Sequence, residues 1–154
     1  MCFSEKISLT IGLTGILSSV YFYNKSIYAS IGIGYFALME IIQFFQYKVI
    51  NQCKNDYNKF LTVLGYIHIC FQPFFINVWL FAFTKQPNFT FLYMSFFAGL
   101  LLASRLLFVN DEELCDTKNE PLCGSQTCAF SGKRHIAWNV RLRAPGKKWF
   151  SPSI

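Results

Sequence analysis

Two ionisable residues lie where ionisable residues are uncommon. Glu40 sits inside the apolar run 27–47 and His68 inside the apolar run 60–83. Carboxylate and imidazole are the side chains most used to move protons, and both ligate metals. Within a membrane-spanning helix either group is costly and seldom faces lipid, so it usually marks an interior site. Glu40 lies seven residues before Tyr47, and His68 eight residues after Phe60. At about 1.5 Å per residue, both fall about 10–12 Å from the same end of their helices. An antiparallel helix pair therefore holds them at one depth. Gln43 stacks one turn from Glu40 and Gln72 one turn from His68, while Asn77 lies further along the third run. These side chains are expected to form a polar cluster that relays protons, ligates a metal ion or holds a small polar ligand. In an enzyme, Glu40 is the candidate general base and His68 a ligand or acid. The competing reading is a structural hydrogen bond that locks the two helices, worth about 0.6 kcal/mol for an interhelical polar pair.

Cysteine is the second source of chemistry. Cys115-x7-Cys123-x4-Cys128-x6-His135 offers four candidate zinc ligands, although it lacks the Cys-x2-Cys knuckle. Together with Cys53, the same cysteines can instead form disulfides in an oxidising compartment, with pairing that sequence does not fix. Free thiols are the third reading, and all three stay open. Cys70 lies inside the third run and reads as a small apolar residue. Cys2 follows the initiator Met and is a nucleophile or ligand if exposed as the first residue. No activating base is legible near it, so an ordinary thiol is the plainer reading.

The elements that must position these groups are apolar runs. Residues 7–23, 27–47, 60–83 and 89–109 are each long enough to cross a bilayer as a helix. The first is read as a retained helix rather than a signal peptide, because no small-residue cleavage site follows it. Ser8, Gly12, Gly15 and Ser19 recur along one side of it, as Ser30 and Gly34 do in the second run and Ser95, Gly99 and Ala103 in the fourth. Such rows let helices approach closely. Pro73 is expected to bend the third helix, with Gln72 and Asn77 satisfying freed backbone groups. From residue 110 onward the chain turns polar, cysteine-rich and basic, and reads as a tail rather than a fifth span.

Composition agrees with a lipid environment. Hydrophobic residues make up 53% and charged residues 14% of the 154, with 18 Phe, against about 25% charged residues in a soluble domain. The net charge of +6 comes from residues between and after the apolar runs. Anionic lipid headgroups, not nucleic acid, are therefore the expected partner. Trp138 and Trp149, set among Arg141, Arg143, Lys147 and Lys148, resemble an interfacial anchor. Four spans place eleven Lys and Arg on the face that carries the termini and the 48–59 loop, against Lys25 and Lys85 on the other. The positive-inside rule then puts both termini in the cytosol. No Gly-rich phosphate loop, Gly-x-Ser-x-Gly elbow or His-Glu-x-x-His occurs, and the second intramembrane His of a paired-histidine haem site is missing.

The opening Met-Cys-Phe-Ser, the blocks GYFALMEIIQFFQYKVINQC and LGYIHICFQPFFIN, and PLCGSQTC followed by SGKRHIAWNV resemble an uncharacterised family of multi-pass membrane proteins. Its members open Met-Cys-Trp/Phe-Ser and occur in bacteria, protists and large DNA viruses. The resemblance implies no catalytic roles. It does imply that Glu40, His68, Gln72, Pro73, Asn77, Cys53, Cys115, Cys123, Cys128 and His135 form one recurring pattern. Similar proteins continue with further apolar spans beyond the segment matching Trp149 and Phe150, so this chain is expected to be a fragment or a short variant.

The sequence thus predicts an all-α integral membrane bundle: four transmembrane helices over 1–109, then a cysteine-rich, basic C-terminal tail over 110–154. The expected activity is an intramembrane Glu/His site for a metal ion such as zinc, a small polar ligand or protons. The alternative is a non-catalytic scaffold, possible as a homo-oligomer, whose polar residues only pack helices.

Overall fold

The computed structural model describes residues 4–84, 89–108, 126–132 and 135–141. Four helices run in chain order: α1 (Glu5–Tyr23), α2 (Ile27–Lys48), α3 (Asp56–Leu80) and α4 (Phe89–Ser104). A 3₁₀ turn, Arg105–Phe108, extends α4. Three helical segments, Ile27–Lys48, Asp56–Leu80 and Phe89–Leu107, are long and apolar enough to cross a membrane. α1 has 19 residues, but its two Thr and three Ser dilute its apolarity.

Local chemistry sets the helix starts. Ser4 Oγ accepts from Ile7 N at 3.3 Å, and Ser26 Oγ from Ala29 N at 3.3 Å. Asn55 Oδ1 accepts from Tyr57 N at 2.9 Å. Each cap satisfies an amide that the first turn leaves orphaned. The Asn55 cap starts α3 at Asp56, four residues ahead of the predicted apolar boundary.

The row of small residues on α1 faces α2. A Cβ added at Gly15 would lie 2.6 Å from Ala37 Cβ, and one at Gly12 would lie 2.5 Å from Ile41 Cδ1. Real carbon contacts are not that short, so the backbones approach only because both positions are glycine. Ser8 is fully buried, and Ser19 Oγ donates to the Ser30 carbonyl at 2.8 Å. An ion pair between Glu5 and Lys48 ties the ends of the same two helices. On α4, Gly99 lies against the Cys70 carbonyl and Phe71, and Tyr66 Oη donates to the Leu102 carbonyl at 2.8 Å. Pro73 sits inside α3. Asn77 Nδ2 donates to the Pro73 carbonyl at 2.9 Å and to Ser95 Oγ at 3.2 Å. It therefore joins α3 to α4.

The all-α expectation needs correction. The fold is mostly helical, but part of the predicted tail forms an antiparallel hairpin of β1 (Cys128–Ser131) and β2 (Ile136–Asn139). Ser131 pairs with Ile136, and Gly132 N donates to the His135 carbonyl at 2.9 Å to close the turn. The hairpin packs on the end of the bundle where α2 finishes and α3 begins. Ala129 and Ile136 bury against Tyr47 and Ile50. Val140 buries with Tyr66 and Cys70, beside Ala103 and Leu106.

Polar bonds and a disulfide hold the hairpin there. Asn58 is fully buried. Its Nδ2 donates to the carbonyls of Val49 at 2.7 Å and Ala129 at 3.0 Å, and its Oδ1 accepts from Ala129 N at 2.8 Å. Asn51, whose φ of 66° suits asparagine's tolerance of the left-handed region, accepts from Ser131 N at 2.9 Å. Cys53 and Cys128 form a disulfide with Cα atoms 5.0 Å apart.

Candidate functional site

A cavity of about 870 Å³ opens between α1, α2, α3 and the hairpin. Its polar lining comes from Glu40 and Gln43 on α2, His68 and Gln72 on α3, and His135 at the start of β2. Its apolar lining includes Ile11, Phe36, Ile69, Trp79 and Trp138. Helix periodicity explains the grouping. Glu40 and Gln43 are three residues apart and His68 and Gln72 four apart, so each pair presents one helix face.

His68 is 6% exposed. Its Nε2 lies 2.8 Å from the Tyr35 carbonyl. A carbonyl oxygen only accepts, so Nε2 carries the proton and Nδ1 of the neutral ring is left as an acceptor. Tyr35 returns a hydrogen bond from its hydroxyl to the His68 carbonyl. Its ring stacks on His68 with centroids 3.9 Å apart and on Phe75 at 3.6 Å. The imidazole is thus fixed in plane and in tautomer, by a backbone carbonyl and an aromatic face.

Among the described residues, Nδ1 of His68 and Oε2 of Glu40 are both buried without a hydrogen-bond partner. The bond that joins α2 to α3 at this level runs from His68 to Tyr35, not to Glu40. An unpaired buried polar group costs about 1–3 kcal/mol, so both atoms call for a partner that the described residues do not supply.

The other candidate residues fall in several places. Gln43 is buried and lines the cavity. Asn77 faces α4 instead. His135 is exposed at the cavity margin. Cys53 and Cys128 are consumed by their disulfide, so neither is a metal ligand in this state. Cys70 is a buried free thiol. Cys2, Cys115, Cys123 and Trp149 lie outside the described residues. Trp138 turns towards the helices: its ring rests on Gly65, where an added Cβ would be 3.0 Å away, and its Nε1 donates to Gln46 Oε1 at 3.2 Å. Among the described residues, no group of three or more His, Cys, Asp or Glu is arranged to hold a metal ion.

Sequence reasoning missed Gln46 and Asn58. Gln46 is fully buried and donates to the Leu61 carbonyl at 3.0 Å, while holding the Trp138 indole. It thereby links α2, α3 and the hairpin beside the cavity. A signal existed for Asn58: Asn58, Leu61, Thr62, Gly65 and Tyr66 follow the i, i+3, i+4, i+7, i+8 spacing of one buried helix face.

No curated protein and no solved structure matches the chain. One family does, over residues 6–149, a stretch that takes in all but the first residue of α1, the other three helices, both strands, the disulfide and every cavity-lining side chain. The chain therefore belongs to that family, a family of unknown function (DUF5765).

Proposed function

We propose that this is a multi-pass membrane protein whose helices hold a binding cavity for a small molecule with a polar head and an apolar body. The observation that carries the reading is a pair of buried atoms, unpartnered among the described residues, Glu40 Oε2 and His68 Nδ1, on two residues that line one cavity. A cavity of about 870 Å³ lies within the range of about 300–1,000 Å³ usual for ligand pockets. The mixed lining suits an amphiphile, with polar groups that orient a head and apolar groups that accept a chain. Outward-facing Phe91, Tyr93, Met94, Phe97 and Leu101 on α4 are all exposed, as expected for a lipid-facing helix. With α1 as a fourth span, its exposed Leu13, Leu17 and Val20 find the same solvent.

The orientation that goes with this reading puts the 49–55 loop and the hairpin on an oxidising face. Structural disulfides persist there and are rare in a reducing cytosol. The charge count favouring the cytosol leans on the tail, and charges more than about 20 residues from a helix end carry little weight. Lys133 and the Lys and Arg after it lie 26 or more residues beyond Leu107, which closes the last apolar segment, and setting them aside reduces the count from eleven against two to five against two.

Tryptophan emission tests the cavity. Trp79 and Trp138 both line it. In lipid nanodiscs, a brominated short-chain alcohol is expected to quench them saturably, above the linear quenching due to probe dissolved in lipid. Linear quenching alone, equal to that of a lipid-exposed indole, contradicts the reading.

A further inference from the structure

We infer that the ligand of this cavity is a protonated amine carried on an apolar body. The inference rests on the cavity reading above and specifies its head group. Both unpartnered atoms accept hydrogen bonds. His68 Nε2 donates a hydrogen bond to the Tyr35 carbonyl, so the buried Nδ1 of the neutral ring, unpartnered among the described residues, has a lone pair and no hydrogen. Glu40 in its ionised form accepts at both oxygens and donates at neither. Two acceptors on residues that line one cavity are matched by a ligand with several N–H donors on one atom. An ammonium group has three.

Charge points the same way. Among the described residues, Glu40 is the one carboxylate lining the cavity, and neither Lys nor Arg lines it. A carboxylate or phosphate head would meet a like charge with no basic partner, whereas an ammonium neutralises it. Phe36, Trp79 and Trp138 also line the space, and aromatic faces attract cations that have left water. The apolar remainder takes the body of the ligand. A bare metal ion leaves most of that volume unfilled, and no third ligand stands beside Glu40 and His68 among the described residues.

The test is a head-group series at constant chain length. Decylamine, decanol and decanoate are titrated into the purified protein in phosphatidylcholine nanodiscs, with binding read by tryptophan emission. Free concentrations are corrected for partition into empty nanodiscs. Decylamine is expected to bind at least ten-fold more tightly than decanol, and decanoate more weakly than either. Glu40→Gln keeps the side-chain shape and removes the charge. It is expected to abolish the amine preference, so that decylamine binds no more tightly than decanol in the same variant, while an unchanged far-UV circular dichroism spectrum shows that the variant is folded. Equal binding of all three probes, or an amine preference that survives Glu40→Gln, overturns the amine assignment while the cavity stands. Saturation by none of the three overturns the cavity and the amine together. Phosphatidylethanolamine added to the nanodisc separates two sources of the same chemistry. Competition with decylamine identifies an aminophospholipid headgroup, and no competition identifies a single-chain amine; both outcomes support the assignment.

Discussion

Replacing Asn58 with Ala is expected to release the hairpin from the helices. The side chain makes three hydrogen bonds that link the end of α2 to β1. Without it, the Ala129 amide loses its partner and the Val49 carbonyl loses this donor. The Ala129 carbonyl keeps a bond from Asn51 N at 3.1 Å. The Val49 carbonyl keeps a bond from Gln52 N at 3.1 Å, so at about 1–3 kcal/mol for the Ala129 amide left unpaired, plus the small cavity left by the amide, the loss is about 2–4 kcal/mol. The effect should be local at first. Proteolysis within 126–141 is expected to accelerate while the helices stay intact, because each strand has only four residues and depends on its bonds to the helices. Unchanged proteolysis and an unchanged melting temperature in Asn58→Ala contradict this account of the attachment. Thr62 donates to the Asn58 carbonyl at 2.8 Å, so Thr62→Val is expected to cost much less: it removes a donor without orphaning either side of the interface.

Breaking the Cys53–Cys128 disulfide is expected to have an effect of similar size. The two cysteines are 75 residues apart in sequence. The chain-entropy relation gives about 4.5 kcal/mol for a loop of that length. Helices that stay formed in the bilayer already restrict the opened chain, so about 2–4 kcal/mol is expected in practice. Cys128→Ser should lower the melting temperature, and reductant should lower that of the wild type to match while leaving the variant unmoved. A wild-type melting temperature indifferent to reductant contradicts the staple. The same experiment reads orientation. In sealed vesicles, a membrane-impermeant reductant opens the bond only from the face that carries the 49–55 loop. In right-side-out vesicles it should therefore work from outside.

The contrast between what sequence reveals and what it hides is physical. The row of Ser8, Gly12, Gly15 and Ser19 is legible because close helix approach leaves few residue types to choose from, and the structure packs that row on Ala37, Ile41 and Ser30. The depths of Glu40 and His68 follow from helix rise alone. The partner of His68 does not. Tyr35 meets it through a backbone carbonyl, and a carbonyl leaves no trace in residue type. The hairpin is hidden for another reason. Its strands, CAFS and IAWN, have four residues each, too few for alternation to rise above chance, and their stability comes from Asn58, Gln46 and the disulfide rather than from strand propensity. Asn58 itself lies between Asp56 and Lys59, where three polar residues in four look like loop. The Asn55 cap turns that stretch into the first turn of α3, and helix phase then carries Asn58 inward. Gln46 is concealed by its place near the polar end of α2, although Ile42, Gln43 and Gln46 share one buried face.

These attachments bear on the cavity directly. The hairpin supplies His135, Ile136, Ala137 and Trp138 to its wall, so whatever frees the hairpin opens the space beside Glu40 and His68. Loss of ligand binding is expected to accompany loss of stability in Asn58→Ala and Cys128→Ser. Glu40→Gln should separate the two, because it alters the site without touching an attachment.

Native mass spectrometry of the protein, released from membranes in lipid nanodiscs without detergent, tests the central claim most directly. The account predicts a population carrying one small molecule of constant mass, present in the wild type and strongly reduced in Glu40→Gln. A wild type that shows only the bare chain mass, or an adduct equally abundant in the wild type and Glu40→Gln, contradicts it.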